Sequence, residues 1–299
     1  MAIRNRLLFY SCLALCLVLL VGIRQHLTIE EAPQKTALIQ IADFKNPIPI
    51  HDSVWLEDLT WLEIRDLINS GAKNVIVPTG GIEQNGPFVV TGKHNYVVRQ
   101  YAEQIARLLG NTLVAPVVKF VPQGGHNPPT GHMQYSGTIG LTNKTFESLL
   151  KDICVSLKIH GFENIFLIGD SGGSQDSQKT VAQHLSEKWE ALDINVVNLT
   201  SYYEYDKWGY TQLKNLGIYQ EPDIRSAQRS TVHSDYYYES ILATVDPELI
   251  RSSERIKIGE MKINGVDLLP IESTVEVGNS LIRARAEMVV DEVKRIYFK

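Results

Sequence analysis

Two short apolar runs, each closed by a glycine-rich turn, constrain the fold of this chain more than any other feature. Asn74-Val75-Ile76-Val77-Pro78 leads into Gly80-Gly81-Ile82-Glu83-Gln84-Asn85-Gly86-Pro87 and on to Thr91-Gly92-Lys93-His94-Asn95. Asn164-Ile165-Phe166-Leu167-Ile168 leads into Gly169-Asp170-Ser171-Gly172-Gly173-Ser174-Gln175. Each turn precedes a stretch that reads as helix. In an open α/β sheet such turns lie at the carboxyl edge of the strands, where ligands bind. If both strands belong to one parallel sheet, Glu83, His94, Asp170 and Ser171 converge on one crevice.

The rest of the chain repeats the alternation. Apolar residues at helical spacing predict a helix over Asp58 to Ser70, with Gly71 as its C-cap. A strand over Lys73 to Pro78 follows, then a helix from Tyr96 to Leu109 and a strand from Leu113 to Phe120. Val121 to Gly140 reads as one long loop carrying His126 and His132, and loops of that length inside a domain are usually functional. Thr142 caps a helix through His160. After the strand Asn164–Ile168 come a helix over Gln175 to Leu192 and a strand over Ile194 to Leu199. Thr231-Val232-His233-Ser234-Asp235 opens a helix through Leu242, and the last helix runs from Val275 to Tyr297. Alternation of this kind predicts an α/β domain, a mostly parallel sheet with helices on both faces.

Composition bounds the function. The chain has 299 residues, 44% hydrophobic and 21% charged, an ordinary globular balance. A net charge of −5 and the lack of a basic stripe give no support for a nucleic-acid partner. Cys12 and Cys16 lie in the N-terminal apolar segment, which leaves Cys154 alone and no zinc-finger spacing. Arg4 and Arg6 precede an apolar run from Leu7 to Ile23. This pattern predicts an export signal, read as an uncleaved anchor over residues 1–27 with the globular part exported, in the periplasm or outside the cell. Residues 28–54 read as a linker or arm, and residues 55–299 as the catalytic domain.

Once these motifs are set in order, residues from about Trp55 onward resemble the creatininase (creatinine amidohydrolase) family. Glu83-Gln84-Asn85-Gly86-Pro87 with Gly92-Lys93-His94 is similar to that family's Glu-x-His-Gly-Pro and Gly-Thr-Asp. His132-Met133-Gln134-Tyr135-Ser136-Gly137-Thr138-Ile139 resembles its His-x-x-Phe-Pro-Gly-Thr-Ile. Gly169-Asp170-Ser171-Gly172-Gly173 stands where the family has Asn-Gly-His-Gly-Gly. His233, followed by Glu239 and Ser240, is similar to its His-Ala-Gly-x-x-Glu-Thr-Ser. The resemblance implies a three-layer α/β/α fold, a homo-oligomer, a small amide substrate, and a site for divalent zinc or manganese that activates water.

The departures reshape that site. Asn85, His94 and Ser171 replace a histidine, an aspartate and a histidine of the family pattern, so the usual two-metal set does not carry over. A rearranged set of Glu83, His94, Asp170 and His233 supplies two carboxylates and two imidazoles, donors that suit zinc or manganese. Ser171 with the N–H groups of Gly172 and Gly173 is placed to stabilise an oxyanion, and Glu239 or His132 to carry a proton. Asn85 orders its loop or reaches the substrate.

Each of these residues has a plainer reading: Glu83 as a turn cap, His94 and His233 as helix starters, Asp170 ordering its own turn. Gly-Asp-Ser-Gly-Gly also matches the nucleophile elbow, with Ser171, His233 and either Asp206 or Asp223 as a serine-hydrolase triad. A third reading is a binding protein that kept the fold without the chemistry.

Overall fold

In the computed structural model, residues 44–203, 205–220 and 233–297 are described. Two compact units divide the chain, Met1–Ile48 and Pro49–Lys299. The described part of the first is short and irregular, and the second carries all that follows.

Four parallel strands form the centre of the second unit. They are β1 (Asn74–Thr79), β2 (Thr112–Val114), β3 (Asn164–Gly169) and β4 (Asn195–Asn198), in spatial order β2-β1-β3-β4. β1 and β3 pair from Asn74↔Asn164 to Thr79↔Gly169. The chain passes from β1 outward to β2, then crosses back to β3 on the other side of β1. The β1/β3 gap is therefore the topological switch point, where the carboxyl ends of the strands open a crevice.

Period-two alternation divides the strand side chains between two cores. Ile76, Phe166 and Ile168 face one layer, formed by α2 (Lys93–Leu109), α6 (Tyr236–Val245) and α8 (Ile271–Tyr297). Val75, Val77, Ile165 and Leu167 face the other, formed by α1 (Trp61–Asn69), α3 (Asn143–Ile159) and α4 (Gln175–Trp189). The remaining elements are the helices α5 (Tyr205–Asn215) and α7 (Ser252–Ile258) and the short hairpin β5 (Lys262–Ile263) and β6 (Val266–Asp267). With both faces covered, β1 is buried at all six positions, and each aliphatic side chain there contributes about 2 kcal/mol of burial. This is the three-layer α/β/α arrangement.

Local chemistry sets the helix ends. Thr60 caps α1 in a reciprocal capping box with Glu63, whose carboxylate accepts from Thr60 N at 2.8 Å. Thr142 caps α3 and Asp235 caps α6, the latter accepting from Tyr238 N at 2.9 Å. α6 and α8 cross at Gly278, where a Cβ would lie 2.2 Å from the Ser240 carbonyl oxygen. Only glycine allows that approach.

Several boundaries differ from the sequence expectation. The strand expected over Leu113 to Phe120 is regular only through Val114, because Pro116 has no N–H for the ladder. Beyond it the chain still follows β1, with Val118 N donating to Pro78 O at 2.9 Å. The helix expected from Tyr96 begins at Lys93, which draws His94 into its first turn. The stretch expected as helix from Asp58 opens as a 3-10 turn, Leu56–Asp58, before α1. The expected anchor over residues 1–27 lies outside the described residues. Among the described residues no helix is long and apolar enough to cross a membrane.

Candidate active site

Glu83 follows β1, His94 sits in the first turn of α2, and Asp170 follows β3 directly. Three sequence-distant segments thus meet at the switch point. His94 lies between two carboxylates, with Nε2 2.7 Å from Glu83 Oε1 and Nδ1 2.6 Å from Asp170 Oδ2. His233 Nε2 approaches the same Glu83 Oε1 at 3.1 Å. His132, from the long loop, places Nε2 3.9 Å from Glu83 Oε2, and its ring lies 4.7 Å from that of His233. Beneath them Lys93 is fully buried, its Nζ donating to His233 O at 2.6 Å and lying 4.4 Å from the Tyr238 ring centre.

The charges are mutually dependent. Burial disfavours the Glu83 carboxylate, but the charge of His94, hydrogen bonds from His233 and His94, and Lys93 hold it well below the usual range. Burial likewise disfavours the His94 imidazolium, yet Glu83 and the hydrogen bonds to Asp170 and Glu83 raise its pKa against the pull of Lys93. Burial lowers His132, and burial together with Lys93 lowers His233. Without a metal the surroundings thus push His94, between its carboxylates, toward the charged form, and His132 and His233 toward the neutral form.

A pocket of about 220 Å³ opens on this cluster. It is lined by the ionisable residues Glu83, His94, His132, Asp170 and His233, by the turn Ser171, Gly172 and Gly173, and by Tyr203, Tyr238 and Gln123. The glycine-rich turn must lie this close to the long loop, since a Cβ on Gly173 would fall 2.1 Å from Pro122 O. A larger hollow of about 1540 Å³ lies between Trp208 and the charged face of α8, and among the described residues no imidazole borders it.

The structure places the expected site residues unequally. Asp170 is expected as a ligand, but both its oxygens are engaged: Oδ2 on His94 Nδ1, and Oδ1 accepting from Tyr202 OH at 2.9 Å. It orients His94 from behind. Asn85 is expected at the substrate, but it lies outside the pocket lining and donates to Glu83 O at 2.9 Å and Val90 O at 3.0 Å, ordering the loop that carries Glu83. Glu239, expected as a proton carrier, is buried in α6 against Arg255 Nη1 at 2.5 Å and does not line the pocket. No hydrogen bond joins Ser171 Oγ to an imidazole among the described residues, and His233 turns its Nε2 to Glu83. Asp223 lies outside the described residues. Gln123 was not singled out by the sequence, because it stands in no motif and at no telling spacing, and Tyr202 stood out only as one of a cluster of tyrosines read as packing.

Three donor atoms, one each from Glu83, His94 and His233, lie within 4.8 Å of one another and could hold a metal ion. Two imidazoles and a carboxylate form a set typical of catalytic zinc. A ligating histidine ordinarily gives its other ring nitrogen to a carboxylate, and Asp170 supplies that support to His94. The residues present therefore fit one divalent cation. The positions that would complete a second set hold Asn85, which orders its loop, and Ser171.

A three-layer α/β/α domain with an imidazole–carboxylate cluster at its switch point is the framework of a small-molecule enzyme site. The chain belongs to the creatininase family: residues 57–285 match the family model described as creatinine amidohydrolase. The 3-dehydro-scyllo-inosose hydrolase of Thermotoga maritima is 25% identical over 178 residues, 60% of this chain and 54% of that protein. The match thus spans about half the length of that curated relative. Solved creatininases share the fold. A mutant creatininase complexed with creatine aligns at TM-score 0.61 with 17% identity, covering 82% of this chain and 99% of its own. A manganese creatininase aligns at TM-score 0.59 with 17% identity over the same shares.

Proposed function

We propose that this protein is a metal-dependent amidohydrolase of the creatininase type that hydrolyses a C–N bond in a small, cyclic amide. The observation that carries this reading is the convergence of Glu83, His94 and His233 on one point at the pocket. These residues would hold one zinc or manganese ion. Such an ion, when bound, polarises a carbonyl oxygen and lowers the pKa of water.

The chain's own residues supply the remainder. Asp170 fixes the ring of His94 through Nδ1, and Lys93 holds the backbone of His233 through its carbonyl oxygen. Ser171 and the N–H groups at Gly172 and Gly173, at the start of a helical turn, face the position where negative charge develops on the carbonyl oxygen. His132 borders the pocket and burial favours its neutral form, so it can take the proton of the attacking water. As the water oxygen bonds to the carbonyl carbon and the C–N bond breaks, that proton passes to the departing nitrogen. A volume of about 220 Å³ favours a substrate the size of one substituted ring.

The test is metal content of the purified protein together with a hydrolysis screen over cyclic amides. About one equivalent of zinc or manganese is expected, lost together with hydrolysis in His233→Ala. A protein that takes up no metal on titration, or that hydrolyses at full rate after chelation, refutes the reading. We further propose that residues 1–27 anchor an exported protein to the membrane and that the domain assembles as a homo-oligomer. Release from membranes by carbonate without detergent would refute the anchor, and a monomer by sedimentation would refute the assembly.

A further inference from the structure

A tyrosine-rich stretch follows β4, and packing is the ordinary role of such side chains. One of its members does something more specific. Tyr202 is 3% exposed, and its hydroxyl donates to Asp170 Oδ1 at 2.9 Å, the oxygen that His94 does not use. The turn carrying it, Thr200–Tyr202, is tied to α8 at two points. Arg285, buried in α8, donates Nη1 to Tyr202 O at 2.5 Å and to Ser201 O at 3.2 Å. Glu292, two turns further along α8, accepts from Ser201 N at 3.2 Å and from the Ser201 hydroxyl. The Tyr202 ring is also wedged edge-on against Tyr101, at 5.5 Å between centroids.

A carboxylate on a short side chain can turn about its terminal torsion, which is broad. With one hydrogen bond, Asp170 could meet His94 Nδ1 through a range of angles. With a second, from a hydroxyl whose own backbone is clamped, the plane of the carboxylate is fixed. The ring it holds is then fixed as well, and so is the direction of Nε2.

We propose that Tyr202 is a positioning residue for the metal cluster, setting His94 Nε2 through Asp170, with Arg285 and Glu292 of the last helix holding the turn from which it acts. This rests on the metal reading of the Glu83–His94–His233 cluster. It goes beyond that reading in assigning control of the site to an element that contributes no residue to it.

The experiment compares wild type, Tyr202→Phe and Tyr101→Phe, each loaded with cobalt(II) or zinc alone. Tyr101 is the matched control, since its hydroxyl meets Tyr237 OH at 2.5 Å and does not touch Asp170. Affinity is measured by competition with a chromophoric chelator, and ligand geometry by the visible bands of the cobalt form. Tyr202→Phe is expected to bind about tenfold more weakly, the lower end for loss of an outer-sphere partner, with a shifted cobalt spectrum. Tyr101→Phe is expected to match wild type in both. Equal affinity and an unshifted spectrum in Tyr202→Phe would overturn this inference alone. So would a Tyr101→Phe protein weakened to the same degree, because packing would then be the cause. A wild type that binds neither metal would overturn the metal reading and this inference together. Should Tyr202→Phe fail to fold, Glu292→Ala loosens the same turn from a half-buried position. A smaller loss of affinity is then expected, and an unchanged one overturns the proposal.

Discussion

Asp170→Asn separates a residue that binds a metal from one that orients a ligand. The substitution keeps the shape of the side chain and removes its charge. Tyr202 OH can reverse its hydrogen bond to suit an amide, so the contact at Oδ1 survives in form. The contact at His94 Nδ1, 2.6 Å long, changes from charge-assisted to neutral. Hydrogen bonds to charged groups contribute about 1.5–3 kcal/mol and neutral ones about 0.5–1.5, so the loss is about 1–1.5 kcal/mol. That corresponds to about tenfold weaker zinc binding, within the about 10–100-fold range of outer-sphere partners. Asp170→Ala should lose more, because it leaves both the His94 ring N–H and the Tyr202 hydroxyl buried without partners. The assay is zinc competition titration near neutral pH, with His94→Ala as the reference for loss of a true ligand. Two results would refute the reasoning. Zinc affinity unchanged in Asp170→Asn would mean that the carboxylate does not orient the ring. Affinity as low as in His94→Ala would mean that Asp170 binds the metal itself.

Three further outcomes follow from the geometry. His132→Gln should retain metal while hydrolysis of the best amide falls by about 10²–10⁴, the range for a lost proton carrier; parallel loss of metal would make His132 a ligand. Burial pushes the Glu239 carboxyl up to about 7 against the pull of Arg255. Its folded value lies above its unfolded one, so its contribution to stability is complete below the ordinary 4.5 and is lost as pH rises through about 7. The melting temperature should therefore fall between about pH 4.5 and pH 7, and Glu239→Gln should flatten that fall; the same slope in both proteins would refute the assignment. Gly278→Ala drives a methyl into the Ser240 carbonyl where α6 and α8 cross, and should cost about 2–3 kcal/mol, read as a melting temperature lower by about 5–10 °C. A melting point unchanged by that substitution would mean that the two helices can separate at no cost.

The sheet was legible in the sequence because its signal is local. Asn74–Pro78 and Asn164–Ile168 are short, apolar and bounded by glycine, and the convergence of Glu83, His94 and Asp170 follows from putting two such strands side by side. The division of labour within that cluster was not legible. Asp170 and His94 are both sound ligand types, and only the contact of Asp170 with the far ring nitrogen makes one a support for the other. Glu239 stood out as the glutamate of the motif that follows His233, yet in α6 its carboxylate faces Arg255 instead. The contact of Tyr202 with Asp170 left no trace, since the two lie 32 residues apart and the pairing depends on how the turn after β4 docks on α8.

The strands that bear the site are the two inner ones of the four. Thr79 and Gly169 are the last register pair of β1 and β3, and Asp170 N still donates to Thr79 O at 3.0 Å beyond it. Fraying of the edge strands β2 and β4 leaves that seam closed. Amide protons at the seam should therefore exchange with solvent only through opening of the whole sheet, with protection equal to the global stability of the domain. Most binding sites are built on the easily opened parts of a protein. Here one support of the centre is drawn from the hardest part to open: Asp170, which holds the far ring nitrogen of His94, leaves β3 directly at the seam.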